Sequence, residues 1–351
     1  MIKHGEEGFA STQFMAFLFF VSTLVLILGL YSSTLVLAEE RTGKANRVFD
    51  EMNSILFEVV EEMRRDPTPE VNSSEDPVWA WHNKNINGYT VKLRPLSDRL
   101  NLNYVRKNVF DKTGLSLILA PGKNSSDLQQ FREDHGIFLL SEDYSEFFIH
   151  GTSAGIRRIE DPPLDEFQKY FSCYGWANIN LTDEFAARSL AFSLTGRDEI
   201  SERLRYTIEK LLVEKKSADR NNLSLILGGD YEVLFPFVNT EALMNINYID
   251  ETLLGELLAY PDYGVPFPDR RRREILNRRE LEGIAPDDIA PMLGIDPESP
   301  LLNYLGSVTW FWEISITGTN KTQRTVLCRL PPGEHIQPME VEYQIIEQRY
   351  Y

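Results

Sequence analysis

MNINYIDETLLGELLA (residues 244–259) sets an apolar residue, an Asn-x-Asn pair and an acidic dipeptide directly before a leucine-rich helical run. Each part has a mechanical reading. Met244 is extended, and an asparagine or the Asp that follows accepts hydrogen bonds from the open N–H groups at the helix start. Asp250 and Glu251 fall in the first turn, where the helix dipole favours negative charge. The same order recurs twice upstream, in LNLNYVRKNVFDKTGL (100–115) and ANINLTDEFAARSLAF (177–192). The leading asparagines, Asn101, Asn178 and Asn245, lie 77 and 67 residues apart. Spacings so long and unequal exclude a solenoid and predict a recurring helical unit inside an irregular α domain. In the second and third units the pattern continues as helix–turn–helix, through TGRD (195–198) and PDYGVPFPD (261–269).

Outward from these units the chain turns β-like. WAWHNKNINGYTVKLRPL (79–96) has a turn at Asn87-Gly88 between short extended pieces. GSVTWFWEISITGT (306–319), TQRTVLCRL (322–330) and MEVEYQIIEQRYY (339–351) are rich in β-branched and aromatic residues. The pairs Trp79/Trp81 and Trp310/Trp312 alternate as on a strand face, which predicts sheet packing rather than a ligand cage. One sheet is therefore split in sequence by a long helical insertion.

At the N-terminus no charged residue occurs between Gly8 and Ala38. That run exceeds the ~20 residues a helix needs to cross a bilayer. A signal anchor needs only this length, and a secretory signal peptide could end at Val36-Leu37-Ala38. A prepilin-type signal needs more: a short polar leader ending in Gly, cut before Phe, with the apolar helix retained. MIKHGEEG followed by Phe9 has these features and accounts for most of the segment. Lys3 on the leader places the C-terminal body on the outer side of the membrane. Beyond the span, Ala45, Val48, Phe49, Met52, Ile55, Leu56, Val59, Val60 and Met63 recur at steps of three and four. They predict an amphipathic helix ending near Asp66, ahead of Pro67 and Pro69.

The 351 residues carry a formal net charge of −17, which argues against a nucleic-acid partner. Helix-hairpin-helix DNA modules need a Gly-x-Gly hairpin, absent from both turns, and the Arg270–Arg273 run is flanked by Asp269, Glu274 and Glu280. It reads as an ion-paired, solvated helix face. His150-Gly-Thr-Ser-Ala-Gly155 contains the Gly-x-Ser-x-Gly nucleophile pattern around Ser153. Pro162 and Pro163 leave no room for the helix that motif requires, and the later histidine would have to be His335 in a Pro/Gly-rich loop. Cys173 and Cys328 have no metal-type spacing; a disulfide and two buried thiols are both open.

Together these parts resemble the K-type minor pseudopilins of type II secretion. RLNLNYV (99–105) is similar to that family's first Asn-x-Asn segment, and FPFVNTEALMNINYIDETLLGELL (235–258) to its second. The closing strands are similar to its C-terminal β-region. The second motif departs from the family pattern in reading Asn245-Ile-Asn-Tyr-Ile, and the middle unit at Asn178 is less typical.

The resemblance implies an α+β, pilin-like fold. Residues 1–8 are the leader, 9–38 a transmembrane helix and 39–66 an amphipathic helix. Residues 75–99 and 305–351 are the two parts of an antiparallel β-region around an inserted α-helical domain, 100–304. It also implies a structural, non-enzymatic subunit of the inner membrane and periplasm, at or near the tip of the pseudopilus. Cleavage would fall between Gly8 and Phe9, with N-methylation of Phe9, and Gln13 would stand where most pilins carry an assembly glutamate. The implied partners are I- and J-type minor pseudopilins, the major pseudopilin, a prepilin peptidase, the inner-membrane secretion platform and membrane lipid. Some relatives bind calcium at acidic loops, though no ligand set maps onto this chain. A type IV pilus minor pilin is the alternative, and a membrane-anchored hydrolase using Ser153 a more distant one.

Overall fold

The computed structural model describes residues 47–105, 122–135, 170–214, 216–331 and 341–351, together with 109, 111, 113, 119 and 144. The chain divides into two compact units, Met1–Glu58 and Val59–Tyr351. In the described part of the first, residues 47–58 are helical; Met52, Ile55 and Leu56 are buried while Phe57 is exposed. In the second unit helix continues to residue 64, with Val59 and Met63 buried. Within each unit the buried positions are those of one helix face. No described helix is long and apolar enough to cross a membrane, and the predicted span, 9–38, lies outside the described residues.

The second unit is α+β. Its sheet has five antiparallel strands in the order β1-β2-β9-β10-β11: β1 Asn85–Ile86, β2 Tyr89–Pro95, β9 Phe311–Thr317, β10 Thr322–Arg329 and β11 Tyr343–Tyr350. Asn87 (φ 53°) and Gly88 (φ 88°) close the first hairpin, both with the positive φ of a type I′ turn. Val91 and Leu93 pair with Ile316 and Ile314, so one face alternates inward. Trp312, in register with Leu327, extends that buried face.

Trp79 and Trp81 lie on a short 3-10 helix, Pro77–Trp81, not on a strand as their alternation predicts. Pro77 explains the difference, because it opens a helical turn more readily than it joins a sheet. The Trp79 ring still packs on the sheet, meeting Trp312 edge-on at 5.7 Å.

Among the described residues between β2 and β9, three segments that contain helix are each closed by a two-residue parallel bridge. β3 (Leu100–Asn101) pairs with β4 (Phe171–Ser172), β5 (Ala177–Asn178) with β6 (Val238–Asn239), and β7 (Met244–Asn245) with β8 (Leu305–Gly306). Leu305 and Gly306, which the sequence groups with the C-terminal strands, thus close the third helical segment. The middle segment holds the helices Glu184–Thr195 and Asp198–Glu214 around its own apolar cluster. The outer two share a larger cluster that includes Leu253, Leu254, Leu257 and Leu258, none more than 1% exposed. Each such leucine contributes roughly 1.5–3 kcal/mol by leaving water.

Candidate functional site: three asparagine brackets

Among the described residues the three Asn-x-Asn pairs repeat one geometry. In each, the first asparagine ends a two-residue strand and its Oδ1 accepts from the backbone N–H of the second. The distance is 2.9 Å at Asn101–Asn103, Asn178–Asn180 and Asn245–Asn247. Its carbonyl then accepts from the N–H groups three and four residues on, at Tyr104 and Val105, Leu181 and Thr182, and Tyr248 and Ile249. The side chain thereby starts one helical turn, as an Asx turn does. The residue between the asparagines donates its N–H back to the closing strand, Leu102 to Ser172, Ile179 to Asn239 and Ile246 to Gly306.

At the second and third pairs the first asparagine also uses its amide hydrogens, whereas Asn101 Nδ2 is buried with no hydrogen-bond partner among the described residues. Asn178 Nδ2 lies 3.2 Å from the carbonyls of Thr240, Glu241 and Asn303. Asn245 Nδ2 donates to the Asn72 carbonyl and to Thr309 Oγ1, each at 2.9 Å.

The second asparagine clamps a distant peptide unit. Asn180 accepts from Ala218 N–H at 2.7 Å and donates to its carbonyl at 2.9 Å. Asn247 does the same to Ile284, at 2.8 and 3.3 Å. The clamped residue lies 38 and 37 positions further on. In the first segment the clamp changes partner, and Asn103 Oδ1 accepts from the Tyr144 hydroxyl at 2.6 Å.

The predicted acidic caps are in place. Asp183 accepts from Ala186 N–H, and Asp250 from Thr252 and Leu253 N–H. Asp250→Ala is expected to cost about 1 kcal/mol in chemical unfolding, with Asp250→Ser close to wild type.

The third bracket is held by Asn72, which is 3% exposed and lies outside all three pairs. Its N–H donates to Ser307 O, and its carbonyl accepts from both Asn245 and Asn247 Nδ2. Its Oδ1 accepts from Thr309 N–H, and its Nδ2 donates to Asp66 Oδ2 and Asp76 Oδ2 at 3.0 and 3.1 Å. Desolvation raises the Asp76 carboxyl to about 6, against the Ser73 N–H bond that favours its charge. Asn72 escaped the sequence reading because it has no Asn-x-Asn partner. Its signal was only an asparagine before a short Asp-Pro helix start.

Other predicted groups separate. The first three arginines of the 270–273 run are ion-paired: Arg270 and Arg271 both meet Glu274 at 2.8 Å, and Arg272 lies 3.7 Å from Glu251 and from Asp269, while Arg273 Nε donates to the Asp269 carbonyl. Cys173 and Cys328 form no disulfide. Cys173 packs beside the helical cluster and Cys328 is buried on β10 beside Trp310, where burial pushes its thiol up to about 12. Among the described residues no three His, Cys, Asp or Glu side chains gather as a metal site. Gly8, Phe9, Gln13, His150, Ser153 and His335 lie outside the described residues.

No family model matches the chain, and no curated protein does. Among solved structures it is similar to a chain in the crystal structure of the GspK-GspI-GspJ complex from the enterotoxigenic Escherichia coli type 2 secretion system. The identity is 13% over 88% of this chain and 98% of that one, with a TM-score of 0.33.

Proposed function

We propose that this chain is a K-type minor pseudopilin of type II secretion, anchored in the inner membrane with its body in the periplasm. The observation that carries the reading is the junction Gly8-Phe9, a short polar leader meeting a charge-free run that continues to Ala38. The split sheet supports it, since β1–β2 precede the helical insertion and β9–β11 follow it. The subunit is structural. A prepilin peptidase removes residues 1–8 and methylates the Phe9 amine, and the retained helix packs with those of other subunits.

Gln13 supports a place at the tip. A glutamate at this depth is expensive in lipid unless a neighbour's amine meets it. A subunit with no earlier neighbour has no such amine, and a neutral amide avoids the stranded charge. Its neighbours would be I- and J-type minor pseudopilins, then the major pseudopilin below them, on the inner-membrane platform. A type IV pilus minor pilin shares the Gly8-Phe9 junction, but the long helical insertion favours the K-type reading.

The mass of the mature protein tests this directly. Loss of eight residues plus one methyl group on Phe9 is expected. Loss of 38 residues, or of none, would sink the reading. A Gly8→Val chain should keep its leader, fail to cross-link to I- and J-type subunits and abolish export of folded cargo. Normal export by an unprocessed chain counts against it.

A further inference from the structure

The first bracket differs from the other two in one amide. In the second and third pairs the Nδ2 of the leading asparagine meets main-chain carbonyls, those of Thr240, Glu241 and Asn303 at Asn178 and that of Asn72 at Asn245. Asn101 holds the same place in the first pair, and its Oδ1 makes the same turn, but its Nδ2 is buried without a hydrogen-bond partner. The residue is 6% exposed, so bulk water cannot substitute. An unmet buried donor costs roughly 1–3 kcal/mol.

Asn101 lines a cleft of about 40 Å³ to which all three brackets contribute, room for roughly three water-sized spheres. Leu100 and Val105 wall it from the first bracket, Leu181 from the second, and Leu243, Met244 and Tyr304 from the third segment. Asn178 and Thr182 also line it, but the Asn178 amide is spent on its three carbonyls and the Thr182 hydroxyl donates to the Asn178 carbonyl. The polar end is therefore Asn101 with Arg99, which is also 6% exposed and is the one charged group among the described residues of the lining. Arg99 Nε faces Asp98 Oδ1 at 3.0 Å, yet neither atom completes an aligned hydrogen bond. Burial works against the guanidinium charge, Asp98 and Glu313 favour it, and Arg94 opposes it.

A donor-only end above apolar walls selects a ligand with an oxygen acceptor on a short apolar body. A neutral carbonyl would serve Asn101 as the main chain serves Asn178 and Asn245. A carboxylate serves Arg99 as well, through a stronger, charge-assisted bond. Leu243 guards the amide: a Cβ on Gly175 would come within 2.5 Å of Asn101 Nδ2 and 2.6 Å of Leu243 Cδ2, so the two side chains meet at one point.

We propose that this cleft binds the carboxylate end of a short branched apolar group, its oxygens on Arg99 and Asn101 Nδ2 and its apolar part among the leucines. Leu243, half-buried on the wall, turns off the amide as the ligand enters. The C-terminal residue of a peptide and a free branched carboxylic acid present this same chemistry. The walls lie within residues 99–304, so the site holds whether or not the chain is cut at Gly8-Phe9.

Equilibrium dialysis of the full-length protein in nanodiscs against N-acetyl-leucine, isovalerate and N-acetyl-leucinamide tests the site. Saturable, stoichiometric binding of at least one of the two acids is expected, with the amide weaker by about tenfold or more. Tighter binding of N-acetyl-leucine identifies a peptide terminus as the source, and tighter binding of isovalerate a free acid. Leu181→Trp fills the cleft and should abolish binding at an unchanged thermal midpoint; Leu243→Phe does the same from the opposite wall should the first variant fail to fold. Asp98→Asn with Arg99→Gln removes both charges together and should erase the preference for acid over amide. No saturable binding of either acid below about 10 mM overturns the proposal. So does equal affinity of the wild type for acid and amide, or binding that survives in a folded, filled variant.

Discussion

Asn72→Leu is expected to lower the unfolding free energy of the full-length protein by about 4 kcal/mol, a large part of the roughly 5–15 kcal/mol that holds a domain folded. Leucine has the branched shape of asparagine and leaves no void, so the loss is one of hydrogen bonds together with some crowding by its bulkier methyl groups. Thr309 N–H, on a residue 0% exposed, would have no acceptor. Asp76 would lose one of its donors inside the protein, and Asp66 would lose another. An orphaned buried group costs roughly 1–3 kcal/mol, more when it is charged. The main-chain bonds of Asn72 to Ser307, Asn245 and Asn247 do not depend on its side chain, which keeps the total near 4 rather than higher. Urea unfolding followed by tryptophan fluorescence measures it, with the exposed Asn320→Leu as a control within about 0.5 kcal/mol. A loss below 1 kcal/mol for Asn72→Leu would mean that water or a rearranged loop takes over these partners, and that the Asn72 side chain does not brace the third bracket.

What was legible in the sequence is what local chemistry writes locally. Asn87-Gly88 closes a hairpin because two adjacent positive φ angles select those residues. Asp183 and Asp250 cap helices because the N–H groups they accept from lie two or three residues away. The Asn-x-Asn repeat was visible as a pattern, and its place at helix starts was readable. The job of each asparagine was not. A two-residue strand has no alternation to detect, and the residue that closes it lies 61 or 71 positions downstream. The clamps on Ala218 and Ile284 carry no sequence mark at all, because a peptide N–H and C=O are the same at every residue. For the same reason Asn72, whose value lies wholly in distant partners, read as one more loop asparagine. Trp79 and Trp81 show the opposite failure. A true period of two was present, but Pro77 had already committed the segment to a tight helical turn.

The pairwise logic of the clamp predicts a pH-dependent defect from the exchange of one atom group. In Asn247→Asp the Oδ1 acceptor for Ile284 N–H is retained, while the NH2 that donates to the Asn72 and Ile284 carbonyls becomes a second carboxylate oxygen. At pH 7 that oxygen would face two carbonyl oxygens on a residue only 8% exposed. Repulsion and desolvation should together cost about 4 kcal/mol, comparable to breaking a buried charged pair. Protonation restores a donor in the right place, so the folded variant should hold its proton to higher pH than the unfolded chain. Its deficit relative to wild type must then shrink as pH falls, by up to about 1.4 kcal/mol per pH unit. Asn247→Ala removes donor and acceptor alike and should show a smaller deficit that is flat with pH. The two variants, unfolded in urea at pH 7 and pH 4.5, separate a clamp from simple loss of packing. If Asn247→Asp tracks Asn247→Ala at both pH values, the amide does not hold the Ile284 peptide. The repeat would then be only a way of starting helices. If the deficits diverge at pH 7 and approach each other in acid, the third Asn-x-Asn pair does two separable things: it turns the chain with its first amide and fastens a distant loop of it with the second.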